Sequence, residues 1–254
     1  MKNNIPNIPD DYVNPLKPDL NWFFKMIGIV IGLLIFAYLL SYLFANLVIS
    51  NFSLETEKKY FGNFYKGNGG SYQKFDKTIL SYNIKIPDYI DIYIIDKNEI
   101  NAFATIGGNI LVTKELLKKI DYEEELIFII GHEINHVMNR APIRTLTTNI
   151  PFYLTLMFLG LNTNVDYSKI YSITSAYTSR DAEKKADDGG LNFVKEAGGD
   201  NSCVLNFFKK DSNYLEKYLY FSSSHPTDAQ RIQNIKESIG NQKLDLNKCK
   251  KLKK

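Results

Sequence analysis

A length of 254 residues allows one well-packed domain plus an accessory segment and is short for two full domains. A composition 44% hydrophobic and 23% charged excludes a largely disordered chain, and two cysteines exclude a disulfide scaffold or a four-cysteine zinc module. The net charge of +3 is local: taking the six lysines and one aspartate of residues 243–254 from totals of 31 and 28 leaves 25 basic against 27 acidic residues, which argues against nucleic acid as a partner.

Residues 1–21, punctuated by Pro6, Pro9, Pro15 and Pro18, read as an extended arm. Residues 22–50 read as a transmembrane anchor contacting the lipid bilayer. Within it, Met26–Ile49 is a 24-residue run without charge. As a helix it would span about 36 Å, enough to cross a bilayer core with some tilt. Trp22, Phe23, Phe24 and Lys25 supply an interfacial belt at one end. A cleaved signal peptide fits poorly, because its apolar region is shorter and a small-residue cleavage site follows it. Gly28 and Gly32 form a GxxxG pair, a face through which two copies can associate as a homodimer. Lys17 and Lys25 before the run against Lys58, Lys59 and Lys66 after it leave the positive-inside count nearly balanced.

Residues 53–240 carry the folded domain and 241–254 a lysine-rich tail. Ser53 is placed to cap a short helix, and residues 72–84 read equally as helix or strand. Tyr89–Asp96 has the β-branched and aromatic pattern of a strand; Asn101–Ile106 and Asn109–Thr113 read as two more, joined at Gly107-Gly108. A helix is expected from Asp121 to about Arg140, with Asp121 and Glu124 spaced as a capping box. A second is expected from near Thr178 towards Ala197, with Gly189-Gly190 as a point where it can break.

The first of these helices contains GHEINH. His132 and His136, one turn apart on one face, can converge on a tetrahedral zinc, and Glu133 beside them is a candidate general base towards water activated by the metal. The flanking residues are apolar, and two histidines and an acid buried in such a helix require partners, which a metal supplies. A catalytic zinc takes one further side chain and keeps a position for water. His225 is one candidate. The other is Glu183 on the second helix, with Asp187 one turn later able to orient a ligand histidine.

The blocks NAFATIGGNILVTKELL, EELIFIIGHEINHVMNR, SRDAEKKAD and SHPTDAQRI, in this order, resemble the motif set of the zinc metallopeptidases that include HtpX and the CAAX prenyl protease. The resemblance covers most of residues 95–235. It implies an α+β fold: a mostly helical zincin-like metallopeptidase domain with a small β-sheet, here behind one N-terminal transmembrane helix. It implies one Zn2+ per chain on His132, His136 and Glu183, with Asp187 supporting a ligand. Asn101, Ala102 and Phe103 then fall at the substrate-binding edge strand. His225 falls on a motif whose histidine lies near the metal and serves catalysis through the oxyanion or blocks a latent site. Arg180 and Arg231 match motif arginines read as structural.

Members embedded in membranes carry several spans, whereas this chain has one clear span and a 12-residue apolar run, Ile150–Leu161, too short to cross. It is more similar to single-domain bacterial members, several of which handle envelope proteins. The expected function is membrane-anchored zinc endopeptidase action on polypeptide, with misfolded or envelope proteins as substrates. The rival is a zinc-stabilised chaperone-like module that holds such proteins without cutting them. Cys203 and Cys249 would pair outside the cytoplasm and stay thiols inside it; the short N-terminal arm and the resemblance favour a periplasmic or extracellular domain.

Overall fold

The computed structural model describes residues 20–63, 72–147, 179–209 and 229–253. His225 and Ile150–Leu161 lie outside them. The described residues form an α+β domain behind one long N-terminal helix, as expected from the sequence. That helix, α1 (Leu20–Asn51), has 32 residues and is long and apolar enough to cross a membrane. Its large apolar side chains from Leu20 to Leu47 are mostly exposed, an arrangement that water does not tolerate over such an area. Gly28 and Gly32 meet no other atom within 4 Å.

Two residues on, α2 (Leu54–Phe61) begins where Ser53 Oγ accepts the Thr56 N–H. Residues 72–84 resolve into a short strand, β1 (Tyr72–Lys74), and a 3-10 turn, Lys77–Ile79. Strands β2 (Asp91–Ile95), β3 (Ala102–Thr105) and β4 (Asn109–Thr113) complete a four-stranded sheet in the order β1-β2-β4-β3. β2 and β4 run parallel, while β1–β2 and β3–β4 are antiparallel. Among the described residues β3 pairs only with β4, so it forms the edge of the sheet. Gly107 and Gly108 take φ of +80° and +72° in the β3–β4 turn, and a side chain on Gly107 would strike the Phe61 backbone.

α3 (Lys114–Lys119) leads into the central helix α4 (Glu123–Met138), whose buried residues include Leu126 to Ile130. One face of the sheet, through Ile92, Ala102, Ala104, Ile110 and Val112, shares a core with α4 and with Leu191 and Val194 of α5 (Arg180–Glu196). The other face carries a smaller cluster of Ile95, Phe103 and Leu111. A helix apolar on nearly all sides is stable here because sheet and helix cover it from different directions.

The start of α4 differs from the capping box expected at Asp121. Tyr122 is the N-cap and makes no side-chain cap bond, and Glu125, not Glu124, accepts the Asp121 N–H. The C-terminal segment takes over the capping. The Glu123 N–H donates to the Lys250 carbonyl, the Leu252 N–H to the Asp121 carbonyl, and Tyr122 bridges Lys251. Residues 250–252 of the lysine-rich tail therefore lie against the start of α4, next to a Cys203–Cys249 disulfide that closes 46 positions of chain. Lys250 Nζ also stands 3.6 Å from the centre of the Tyr82 ring. Further elements include 3-10 turns at Asn201–Val204 and Leu246–Lys248 and helices α6 (Leu205–Lys209) and α7 (Ala229–Ser238).

α5 runs unbroken through Gly189-Gly190, and packing explains why. A Cβ on Gly190 would lie 2.7 Å from the Phe128 carbonyl oxygen, and one on Gly131 would lie 2.5 Å from Phe193 Cβ. The glycines let α4 and α5 approach closely, and this contact recovers the helix propensity they lose. In an exposed helix, Gly→Ala gains about 1 kcal/mol. Here Gly190→Ala should instead cost about 1–3 kcal/mol by overpacking against a backbone that cannot move. Gly189→Ala, which meets the movable Asn135 side chain, should cost less, and chemical denaturation of the two variants gives the order. Reducing the disulfide should remove about 4 kcal/mol of chain-entropy stabilisation, read as a lower midpoint in the same assay.

Candidate metal centre

α4 presents His132 and His136 one turn apart, and α5 presents Glu183 and Asp187 in the same way, across the contact that the glycines permit. All four side chains are buried. Ser179 caps α5 by accepting the Ala182 N–H, which fixes the turn carrying Glu183.

The donor atoms converge. His132 Nε2 and His136 Nε2 are 3.0 Å apart, Glu183 Oε2 is 3.5 Å from the first, and Glu183 Oε1 is 3.4 Å from the second. For metal–ligand distances of 2.0–2.1 Å, neighbouring ligands of a tetrahedral zinc are separated by about 3.3 Å. The three separations match that edge, so this donor set fits a small dication. His132, His136 and Glu183 are the group among the described residues whose ligand atoms cluster in this way.

The ring orientation follows from the other nitrogen. His132 Nδ1 is 3.0 Å from Asp187 Oδ1. A carboxylate there accepts a hydrogen bond from Nδ1–H and leaves the Nε2 lone pair directed at Glu183 and His136. Arg231, from α7, donates through Nε to Asp187 Oδ2 and through Nη2 to Asp187 Oδ1, each at 2.7 Å. Burial works to raise the Asp187 carboxyl, but the hydrogen bonds and charges of Arg231 and His132 outweigh it and hold its pKa below the ordinary carboxylate value. Arg231 Nη1 also lies 3.2 Å from Glu183 Oε2.

Glu133 follows His132 along α4 and is directed at the sheet. Its Oε2 accepts the Ala104 N–H of β3 at 2.8 Å, placing a buried carboxylate between the histidine pair and the sheet edge. Of the three edge residues named from the sequence, Asn101 lies just before β3, where its N–H and carbonyl bond the Thr113 hydroxyl. Ala102 faces the core shared with α4. The Phe103 side chain lies on the opposite face of the sheet, with Ile95 and Leu111. Arg180 sits at the first position of α5 and is exposed.

Two contributors escaped the sequence reading: Arg231 as the partner of both carboxylates, and the Ala104 N–H as the partner of Glu133. A buried arginine must find an anion, but the segment around Arg231, SHPTDAQRI, holds one acid, and its partners Asp187 and Glu183 stand more than forty positions earlier, so no local signal marked the pairing. The Ala104 contact is a backbone group and leaves no mark in side-chain identity.

A family model described as peptidase family M48 matches residues 72–239. The chain is similar to the beta-barrel assembly-enhancing protease of Yersinia pestis, 26% identical over 173 residues, covering 59% of this chain and 35% of that protein. With the beta-barrel assembly-enhancing protease of Escherichia coli (strain K12) the identity is 36% over 171 residues, covering 61% and 35%. The mitochondrial metalloendopeptidase OMA1 of Arabidopsis thaliana is 26% identical over 154 residues, covering 58% and 31%. The chain spans about a third of the length of the curated relatives it matches.

A metal held by this donor set should raise the melting temperature of the purified chain. At a free metal concentration 100 times the dissociation constant the gain is about 2.7 kcal/mol. His136→Ala and Glu183→Ala should each abolish the metal-dependent shift in thermal unfolding.

Proposed function

Because the chain belongs to peptidase family M48, we propose that it is a membrane-anchored zinc endopeptidase acting on misfolded or envelope proteins. The observation that carries this reading is the position of Glu133, next along α4 from His132 and bonded to the edge strand. A site that only bound zinc has no use for a buried carboxylate there, which favours hydrolysis over a holding module.

His132, His136 and Glu183 would hold the zinc, with Asp187 fixing the His132 ring. When bound, zinc supplies Lewis acidity towards a peptide carbonyl and makes water a competent nucleophile near neutral pH. Glu133 takes the proton from the attacking water and later passes it to the leaving amine. His225 is assigned to stabilising the oxyanion, on the motif it occupies.

Substrate would lie extended beside β3. Asn101 bonds towards β4, so by strand alternation the N–H and carbonyl of Ala102 and of Ala104 are directed to the other side. Ala104 N–H indeed meets Glu133 on that side. Pairing through the main chain suits polypeptides whose own backbone is exposed, such as misfolded ones. The name beta-barrel assembly-enhancing protease, borne by relatives, supports substrates among envelope proteins under assembly.

The Cys203–Cys249 disulfide supports a catalytic domain on the oxidising, periplasmic or extracellular side of a membrane crossed once by α1. Glu133→Gln should keep zinc and cleave an unfolded protein about 10²–10⁴-fold more slowly than the unaltered chain. Cleavage at the unaltered rate, followed by gel in the presence and absence of chelator, would contradict the mechanism.

A further inference from the structure

The geometry points to Arg231 as a positioning residue of the zinc site: one guanidinium that holds two carboxylates of α5, Asp187 and Glu183, and thereby sets how His132 and Glu183 meet the metal. The inference rests on the zinc reading above and extends it to a residue outside the ligand set.

Arg231 is buried, and its three nitrogens are spent on residues of this site. Nε and Nη2 grip the two oxygens of Asp187, and Nη1 lies against Glu183 Oε2. Asp187 Oδ1 is shared: it accepts from Nη2 and stands 3.0 Å from His132 Nδ1. The 3.3 Å separation of Nη2 and Nδ1 is then the approach of two donors to one oxygen. Arginine therefore fixes the oxygen that fixes the imidazole. Its contact with Oε2 also leaves Glu183 Oε1 as the oxygen turned towards His136.

Charge balance supports the same role. Glu133, Glu183 and Asp187 place three carboxylates in a site with almost no solvent exposure. One dication and one guanidinium neutralise them together; the dication alone leaves a buried negative charge, which is costly. Lysine cannot substitute fully. Its ammonium is a point charge that can meet one carboxylate well but lacks the planar fork that holds Asp187 by two bonds and reaches Glu183 with a third nitrogen.

A merely structural arginine tying α7 to α5 would affect folding and leave zinc affinity unchanged. The experiment is zinc titration of the full chain in detergent against a chromogenic chelator, with thermal unfolding of the zinc-free protein alongside. Arg231→Gln should weaken zinc binding by about 10–100-fold, and Arg231→Lys should recover part of the loss. Asp187→Ala should weaken binding similarly, and adding Arg231→Gln to it should bring a smaller further loss than Arg231→Gln alone, because two of the three nitrogens act through that carboxylate and only the Glu183 contact remains. Unchanged zinc affinity in Arg231→Gln, or losses that multiply in the double variant, would overturn the proposal. Should Arg231→Gln fail to fold, Arg231→Lys decides: weakened affinity supports the role and unaltered affinity overturns it. An unaltered chain that binds no zinc, or binds it equally well after His132→Ala, contradicts the zinc reading itself.

Discussion

Two helices can share one metal only if their axes come close enough for short side chains to meet, and here that distance is set by what is missing from three positions. Gly131, Gly189 and Gly190 remove the atoms that would otherwise hold α4 and α5 apart. Every buried charge of the centre follows from that approach: Glu183 reaches the histidines, and Asp187 reaches the far nitrogen of His132. Nearer packing increases the apolar area buried and also raises the penalty for any charge left without a partner. Arg231 meets part of that penalty, and a dication held by the donor set would meet the rest.

α4 is tied at both ends as well as along its length. At its start, three consecutive buried glutamates accept from other segments: Glu123 from the Ser81 and Tyr82 N–H groups, Glu124 from the Tyr82 hydroxyl and the Lys250 N–H, and Glu125 from Asp121 and Asn206. Negative charge there is also favoured by the helix dipole. Past its end, Arg140 pairs with buried Glu57 of α2, whose other oxygen accepts the Gly107 N–H of the β3–β4 turn. Burial raises the Glu57 pKa, and the Gly107 N–H and Arg140 work against it. Arg144 then donates to Asn46 in the last turns of α1. The segment leaving the candidate membrane span, the edge-strand turn and the histidine helix thus share one small set of contacts.

Much of this was legible because the signals are local. The 3.6-residue period places His132 and His136 on one face of a helix whatever surrounds it, and two short runs punctuated by Gly107-Gly108 mark β3 and β4. Ser53 announces α2 through a bond three residues away. Glu183 was one of two candidates from its residues and was singled out by the order of motifs. What sequence did not disclose depends on contacts between distant segments. The start of α4 is capped by Lys250, more than a hundred positions later, so a local capping box at Asp121 was a reasonable but mistaken expectation. Propensity alone allowed a break at Gly189-Gly190, and packing against α4 keeps the helix continuous there. Arg231 read as structural for the same reason, since its partners lie on another helix.

The claim on which everything else turns is that α4 and α5 hold a single zinc through two imidazoles and a carboxylate. X-ray absorption at the zinc edge, on the full chain loaded with one equivalent, tests it most directly. Expected is a first shell of nitrogen and oxygen donors at about 2.0–2.1 Å, with outer-shell scattering from two imidazoles and no sulfur. A shell containing sulfur, or one showing fewer than two imidazoles, would contradict it.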